Sequence, residues 1–469
     1  MKRFLLIFAA AFCLTACTEK NPVLSIEGGQ IQGIPTATAG VTVYRGIPFA
    51  APPVGELRWK EPQPVIPWEG VKVADHWGAP AWQARHSGGG YTPEFFFDGD
   101  PDFSEDCLYL NVWTPAAGKT SAKLPVTLWI HGGGYSAGWS FEPEMDGEQW
   151  AAHGGVLVTA NYRLGILGFL AHPALSAESP HGVSGNYGML DQIAALQWVK
   201  RNIAAFGGDP DHITIMGQSA GAMSVQTLVT SPLSKDLVAG AIIQSGGGLS
   251  DAPVLGGTPL AQAETDGKAL MDWAGYETLE LMRAASPEDI VEISSRYMRE
   301  TRQWLRLSPV VDGYAYPETF QQAARAGHIS NVPYMMGCTL DDMGMLGAGI
   351  DNFCFAREDA GIPAYAYQFA RRLPTDGRPD VLEGAFHSSE LWYMFKSLQY
   401  GWRPFTEGDY ALAEQMITCW TNFAACGNPN GRKSGGVWTP LTRENPQYMV
   451  FCLDDNDAVA SAMGPMRQP

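Results

Sequence analysis

The sequence predicts an α/β fold around a central, mostly parallel sheet flanked by helices, on three observations. From Leu124 onward, short β-prone runs alternate with loops and helical patterns, the arrangement of strand–helix–strand crossovers. Residues 126–130 and 156–160 are nearly continuous apolar runs, each broken only by a threonine, as strands buried on both faces require. The apolar stretch Ile213–Thr214–Ile215–Met216 runs directly into Gly217–Gln218–Ser219–Ala220–Gly221, after which residues 222–226 take helical spacing. That is a strand, a sharp turn and a helix, with a serine at the turn.

Taken in order, the chain begins with an address. Lys2 and Arg3 precede an apolar run over residues 4–14, too short to span a bilayer. It ends in Leu14–Thr15–Ala16–Cys17, which resembles the lipobox of bacterial lipoproteins. The resemblance implies removal of residues 1–16, lipidation of Cys17 and membrane contact through that lipid alone. Thr18 follows, where aspartate would signal inner-membrane retention, so the expected address is the cell envelope, at the outer membrane. Residues 17–469 then form one domain.

Residues 23–26, 31–34 and 41–44 are short β-prone runs separated by glycines or polar residues and predict an antiparallel meander. A proline-rich stretch over 45–55 leads to Arg58 and Trp59. Residues 77–106 form a glycine- and aromatic-rich loop containing Phe95–Phe96–Phe97, which either caps a core or lines a substrate entrance. After Asn186, the spacing of Met189, Ile193, Leu196, Val199 and Ile203 predicts an amphipathic helix stopped at Gly207–Gly208. Further strands are expected at 213–217, 240–245 and 332–337. The helix-rich stretch 261–303 is expected to lie over the sheet as a cap.

A 45% hydrophobic, 17% charged composition is that of a globular protein. The net charge of −18 argues against a nucleic-acid partner. Besides Cys13 and Cys17 there are Cys107, Cys338, Cys354, Cys419, Cys426 and Cys452. Their pairing is not legible, except that Cys419 and Cys426, two turns apart on one helix, stand about 10 Å from each other, beyond disulfide reach. No cysteine–histidine clustering suggests zinc, and no cofactor is expected.

Serine is a poor nucleophile unless a base, itself oriented by an acid, takes its proton. At strand–turn–helix serines of this kind the acid and histidine follow in that order. Of nine histidines only His328 and His387 lie beyond Ser219. His328 precedes the 332–337 run and falls at the wrong end of the sheet, which leaves His387 as base. Asp341 and Asp342 follow that same run at its carboxyl end, where catalytic groups of open α/β sheets gather. His131–Gly132–Gly133–Gly134 follows the 126–130 strand. A glycine run there frees main-chain N–H groups, with that of Ala220, to hold a developing oxyanion.

With these residues assembled, the chain resembles the type-B carboxylesterase family, the α/β-hydrolases that include bacterial para-nitrobenzyl esterases and cholinesterases. The marks are Tyr44–Arg45–Gly46–Ile47–Pro48–Phe49–Ala50, Ser104–Glu105–Asp106–Cys107–Leu108–Tyr109–Leu110–Asn111–Val112, the His131 glycine run, Asn161–Tyr162–Arg163–Leu164–Gly165, Phe206–Gly207–Gly208–Asp209–Pro210, Gln244–Ser245–Gly246 and Phe423–Ala424. The resemblance implies an α/β-hydrolase fold and a serine esterase acting on small-molecule carboxylic esters, with Ser219 as nucleophile, His387 as base and Gly133, Gly134 and Ala220 as oxyanion donors. Aligning Gly337–Cys338–Thr339–Leu340–Asp341–Asp342 with the family's Gly-x-Thr-x-Asp-Glu implies Asp342 as the acid.

Four departures stand out. Gln218 occupies the family's glutamate position, Asp342 replaces the catalytic glutamate, and Cys107 has no earlier partner, Trp82 standing about where one would be. The 45 positions from Asp342 to His387 are also fewer than usual, which implies missing covering helices and a more open site. Two other functions fit the motifs: a catalytically silent binding or adhesion protein, and an amidase using the same triad.

Overall fold

A computed structural model describes residues 21–250, 257–432 and 436–468. Its centre is an eleven-stranded sheet among the described residues. From one edge the strands are Ala462–Gly464, Tyr448–Phe451, Ala364–Phe369, Tyr334–Thr339, Gly240–Gln244, Gly208–Gln218, Leu124–Ile130, Val156–Ala160, Tyr109–Thr114, Thr42–Pro48 and Ile34–Pro35. From Tyr448–Phe451 through Val156–Ala160 every neighbouring pair runs parallel. The outer pairs are antiparallel. The Val156–Ala160, Gly240–Gln244, Tyr334–Thr339 and Ala364–Phe369 strands are buried along their whole length, because helices cover both faces.

The N-terminal part is antiparallel as expected, but the structure divides it between two sheets. Val23–Ile26 pairs with Gly29–Gln32 in a small sheet completed by Val71–Val73, while Ile34–Pro35 and Thr42–Pro48 join the edge of the large one. The switch falls at Gly33, where a Cβ would stand 2.7 Å from the Val43 carbonyl oxygen. The strand expected at 332–337 runs instead from Tyr334 to Thr339. Pro333 brings no N–H to a ladder, and the later start carries the strand end to the doorstep of Asp341.

The helix expected after Asn186 is Tyr187–Asn202. It is tied to the loop after Val156–Ala160 by a buried bidentate pair, with Arg163 Nε and Nη2 donating to Asp191 at 2.8 and 2.7 Å. The cap is built from Leu260–Ala274, Leu279–Ala284 and Pro287–Thr301. The six cysteines of the described residues are free. Cys107 is fully buried, and burial pushes its thiol well above the ordinary range.

Candidate active site

The elbow stands at the end of the Gly208–Gln218 strand. Ser219 takes φ 57° and ψ −125°, a left-handed conformation that a non-glycine residue holds only when its surroundings impose it. They do so by contact. A Cβ on Gly221 would lie 2.0 Å from the Ile130 carbonyl oxygen, and one on Gly217 would lie 2.4 Å from the Gly221 carbonyl carbon. The Ser219 N–H donates to the Gln244 carbonyl at 2.9 Å, and the helix Ala220–Thr230 starts at the next residue.

Two strands away, Asp342 lies just past the end of Tyr334–Thr339. Its Oδ1 is 2.6 Å from His387 Nδ1 and accepts the Met343 N–H at 2.7 Å. Its Oδ2 accepts from Ser245 Oγ at 2.7 Å and the Thr339 N–H at 3.0 Å. Burial alone would raise this carboxyl; the bond and charge of His387, with the Ser245 and Thr339 bonds, outweigh it and hold Asp342 below the usual carboxylate range. An ionised carboxylate only accepts, so Nδ1 of His387 donates to Asp342. Asp341 points elsewhere, to Arg372 Nη2 at 3.1 Å and the Ala385 N–H at 2.8 Å.

Gly133 and Gly134 have φ of +96° and +63°, and a Cβ on Gly133 would meet the Ala137 carbonyl oxygen at 2.0 Å. Only glycine fits there. His131 locks the loop: its ring stacks on Tyr162, the Tyr162 hydroxyl donates to its carbonyl at 3.0 Å, and its Nδ1 bonds the Gly132 carbonyl at 3.0 Å. Burial lowers His131 to about 4, so it is a neutral strut.

Ser219 and Gly134 border two hollows. One, of about 370 Å³, is shared with His387, Phe95, Phe96 and Leu391. The other is a cleft of about 950 Å³ that reaches Met298 on the cap helix Pro287–Thr301 and the segment 304–308. Of the phenylalanine triplet, two side chains border the smaller cavity. Phe95 is buried against Trp392, and Phe96 stacks on His86 at the cavity wall.

Asp342 and His387 are thus in contact, and Ser219 borders the same cavity as His387. Among the described residues Ser219 Oγ has no hydrogen bond to His387. The hydrogen-bonding partner of that ring's Nε2 is the Gln218 amide nitrogen, at 3.2 Å. Sequence reasoning missed this contact, and it missed Ser245 as a donor to the acid. The available signal for Ser245 was its place just beyond the strand next to the elbow. It also missed the buried acids. Burial, aided by the Asp342 charge, raises Glu390 to about 7. Glu142 and Glu144 border the smaller cavity. Burial pushes Glu142 to about 7 and Glu144 well above the ordinary range. Among the described residues no three His, Cys, Asp or Glu side chains cluster as a metal site would need. Cys17 and the 1–16 segment lie outside the described residues.

The profile of the carboxylesterase family matches residues 20–353 and 344–464. The fumonisin B1 esterase of Sphingopyxis macrogoltabida is 34% identical over 91% of this chain and 85% of its own. The para-nitrobenzyl esterase of Bacillus subtilis (strain 168) is 31% identical over 87% of this chain and 91% of its own. A solved thermophilic PNB esterase superposes with a TM-score of 0.78 at 28% identity, covering 94% of this chain and 97% of that one.

Proposed function

The chain belongs to the carboxylesterase family and is a carboxylic ester hydrolase, and from that premise we propose that it works through an acyl-enzyme with Ser219 as nucleophile, His387 as base and Asp342 as the acid that orients the base. In acylation, Ser219 Oγ attacks the ester carbonyl carbon while its proton passes to His387 Nε2. The carbonyl π pair moves onto oxygen, and the N–H groups of Gly133, Gly134 and Ala220 receive that charge. When the tetrahedral intermediate collapses, the alcohol leaves with the proton from Nε2. Water then repeats the sequence on the acyl-enzyme, with His387 again as base, and frees the acid and Ser219. Asp342 keeps the Nδ1–H tautomer throughout and stabilises the imidazolium. Each oxyanion donor is worth roughly 10²–10³ in rate.

One observation carries this reading: a strained Ser219 borders the same cavity as a histidine whose far nitrogen is held at 2.6 Å by a buried carboxylate. Turnover of a matched ester and amide series by the purified protein tests it. Ester hydrolysis far above amide hydrolysis is the expected result; comparable rates would make the enzyme an amidase, and no turnover of either would make it a silent binder.

The address belongs to the same proposal. Residues 1–16 act as an export signal and Cys17 becomes the lipidated start of a single domain running to 469, held in the cell envelope at the outer membrane. The basic pair, the short apolar run and the Leu14–Cys17 tetrapeptide support it, and among the described residues no helix is long and apolar enough to cross a membrane.

A further inference from the structure

Two hollows meet at Ser219, and the chemistry of ester cleavage assigns one part of the substrate to each. The carbonyl carbon stands at Ser219 Oγ with its oxygen toward the N–H groups of Gly133, Gly134 and Ala220. The leaving oxygen takes its proton from His387. His387 borders the smaller hollow and not the cleft, whereas Ala220 and Met223 border only the cleft. The alcohol therefore points into the smaller hollow, and the acyl chain runs past Met223 into the cleft.

The two differ in charge as well as size. Among the described residues Arg85 and Arg306 border the cleft of about 950 Å³, and no aspartate or glutamate does. Glu142 and Glu144 border the hollow of about 370 Å³, and among the described residues no arginine or lysine does. Arg85 is exposed but held in place. Its guanidinium carbon lies 4.6 Å from the centroid of the Phe103 ring, and Nη1 donates to the Pro101 carbonyl at 2.9 Å. Its Nε and Nη2 have no acceptor among the described residues. Arg306 is half-buried; burial raises the hydroxyl of Tyr135, the neighbour of Gly134, and the Arg306 charge counters that rise. Asp100 is engaged by His86, whose N–H and Nδ1 lie 2.8 and 2.6 Å from its oxygens. In a chain of net charge −18, a cleft bordered by arginines and by no carboxylate favours an anion.

We propose that the preferred substrates are monoesters of dicarboxylic acids, the free carboxylate of the acyl group held by Arg85 and Arg306 in the cleft and an uncharged, apolar alcohol seated in the smaller hollow. This rests on the reading of Ser219 as nucleophile and His387 as base. A guanidinium fork matches the two oxygens of a carboxylate. A carboxylate on the alcohol would instead enter the hollow that Glu142 and Glu144 border, where like charge and apolar walls both oppose it.

Release of 4-nitrophenolate by the whole protein tests this, using the mono-4-nitrophenyl esters of adipic, suberic and sebacic acids, each beside its methyl ester. At the best chain length the acid is expected to exceed its methyl ester by about tenfold in kcat/KM. That preference should shrink between 20 mM and 0.5 M NaCl and approach parity when Arg85→Gln and Arg306→Gln are combined. On the alcohol side the order should reverse, 4-(carboxymethyl)phenyl hexanoate being cleaved more slowly than its methyl ester. No preference for the acid at any length, a preference that survives the double variant, or a carboxylate better accepted on the alcohol each overturns the inference. Should the double variant fail to fold, Arg85→Gln and the salt series decide, and a preference unmoved by both overturns it. His387→Ala separates the two levels: full activity there removes His387 as base and this inference with it, whereas an inactive His387→Ala beside a parent without charge preference removes the inference alone.

Discussion

Asp341 and Ala385 hold each other through two bonds: the Asp341 N–H donates to the Ala385 carbonyl at 3.0 Å, and the Ala385 N–H donates to Asp341 Oδ2 at 2.8 Å. Asp341 also forms a β-bridge with Phe386. The acidic pair therefore divides its work. Asp341 pins the loop that carries His387, and Asp342, one residue on, reaches the ring. The loop that carries His387 is thus stitched directly to the strand end from which Asp342 projects.

That division predicts unequal variants. Asp342→Asn keeps the shape but favours the wrong histidine tautomer, and kcat is expected to fall by roughly 10⁴. Asp341→Asn keeps the backbone bonds and an acceptor for Ala385, so its kcat is expected within about tenfold of the parent. Steady-state kinetics of both decide the register; a crippled Asp341→Asn beside an active Asp342→Asn would reverse the assignment.

Ser219→Ala is expected to abolish ester hydrolysis while the circular dichroism spectrum survives, since a triad works as a unit. Mass spectrometry after organophosphate treatment of the parent should find one adduct, on Ser219. An adduct on another serine would displace it as nucleophile.

Glu390 predicts a pH-dependent stability. Its folded value of about 7 lies above the ordinary 4.5, raised by burial and the Asp342 charge. Its contribution is therefore fully present below about 4.5 and is lost as pH rises through about 7. Glu390→Gln, which cannot ionise, is expected to match the parent at pH 4 and to exceed it by about 3 kcal/mol at pH 8. Urea unfolding at the two pH values reads the difference; a pH-independent difference would show that burial of this carboxyl carries no titration cost.

On the proposed lipid anchoring, Cys17→Ala is expected to move the protein from the membrane fraction to the soluble one, since among the described residues no helix is long and apolar enough to cross a membrane. Retention in membranes after a high-salt wash would refute lipid anchoring at that residue.

The sequence by itself determined the α/β class, the elbow, the glycine loop and the cap, because each is written locally. β-branched apolar runs mark buried strands, glycines mark turns that no Cβ can enter, and three-to-four spacing marks helices. Chain order and strand ends sufficed to select His387 over His328 and to bring the acid down to two neighbouring residues. The family resemblance already implied Asp342 as the acid, and the tertiary structure shows that Asp342, not Asp341, faces the ring, through contacts from a loop more than forty residues away. The tertiary structure alone placed Ser245 on Asp342 and Gln218 beside His387, and it alone raised Glu390, Glu142 and Glu144. Burial, hydrogen-bond direction and the sum of nearby charges depend on segments far apart in the chain, and no local pattern encodes them.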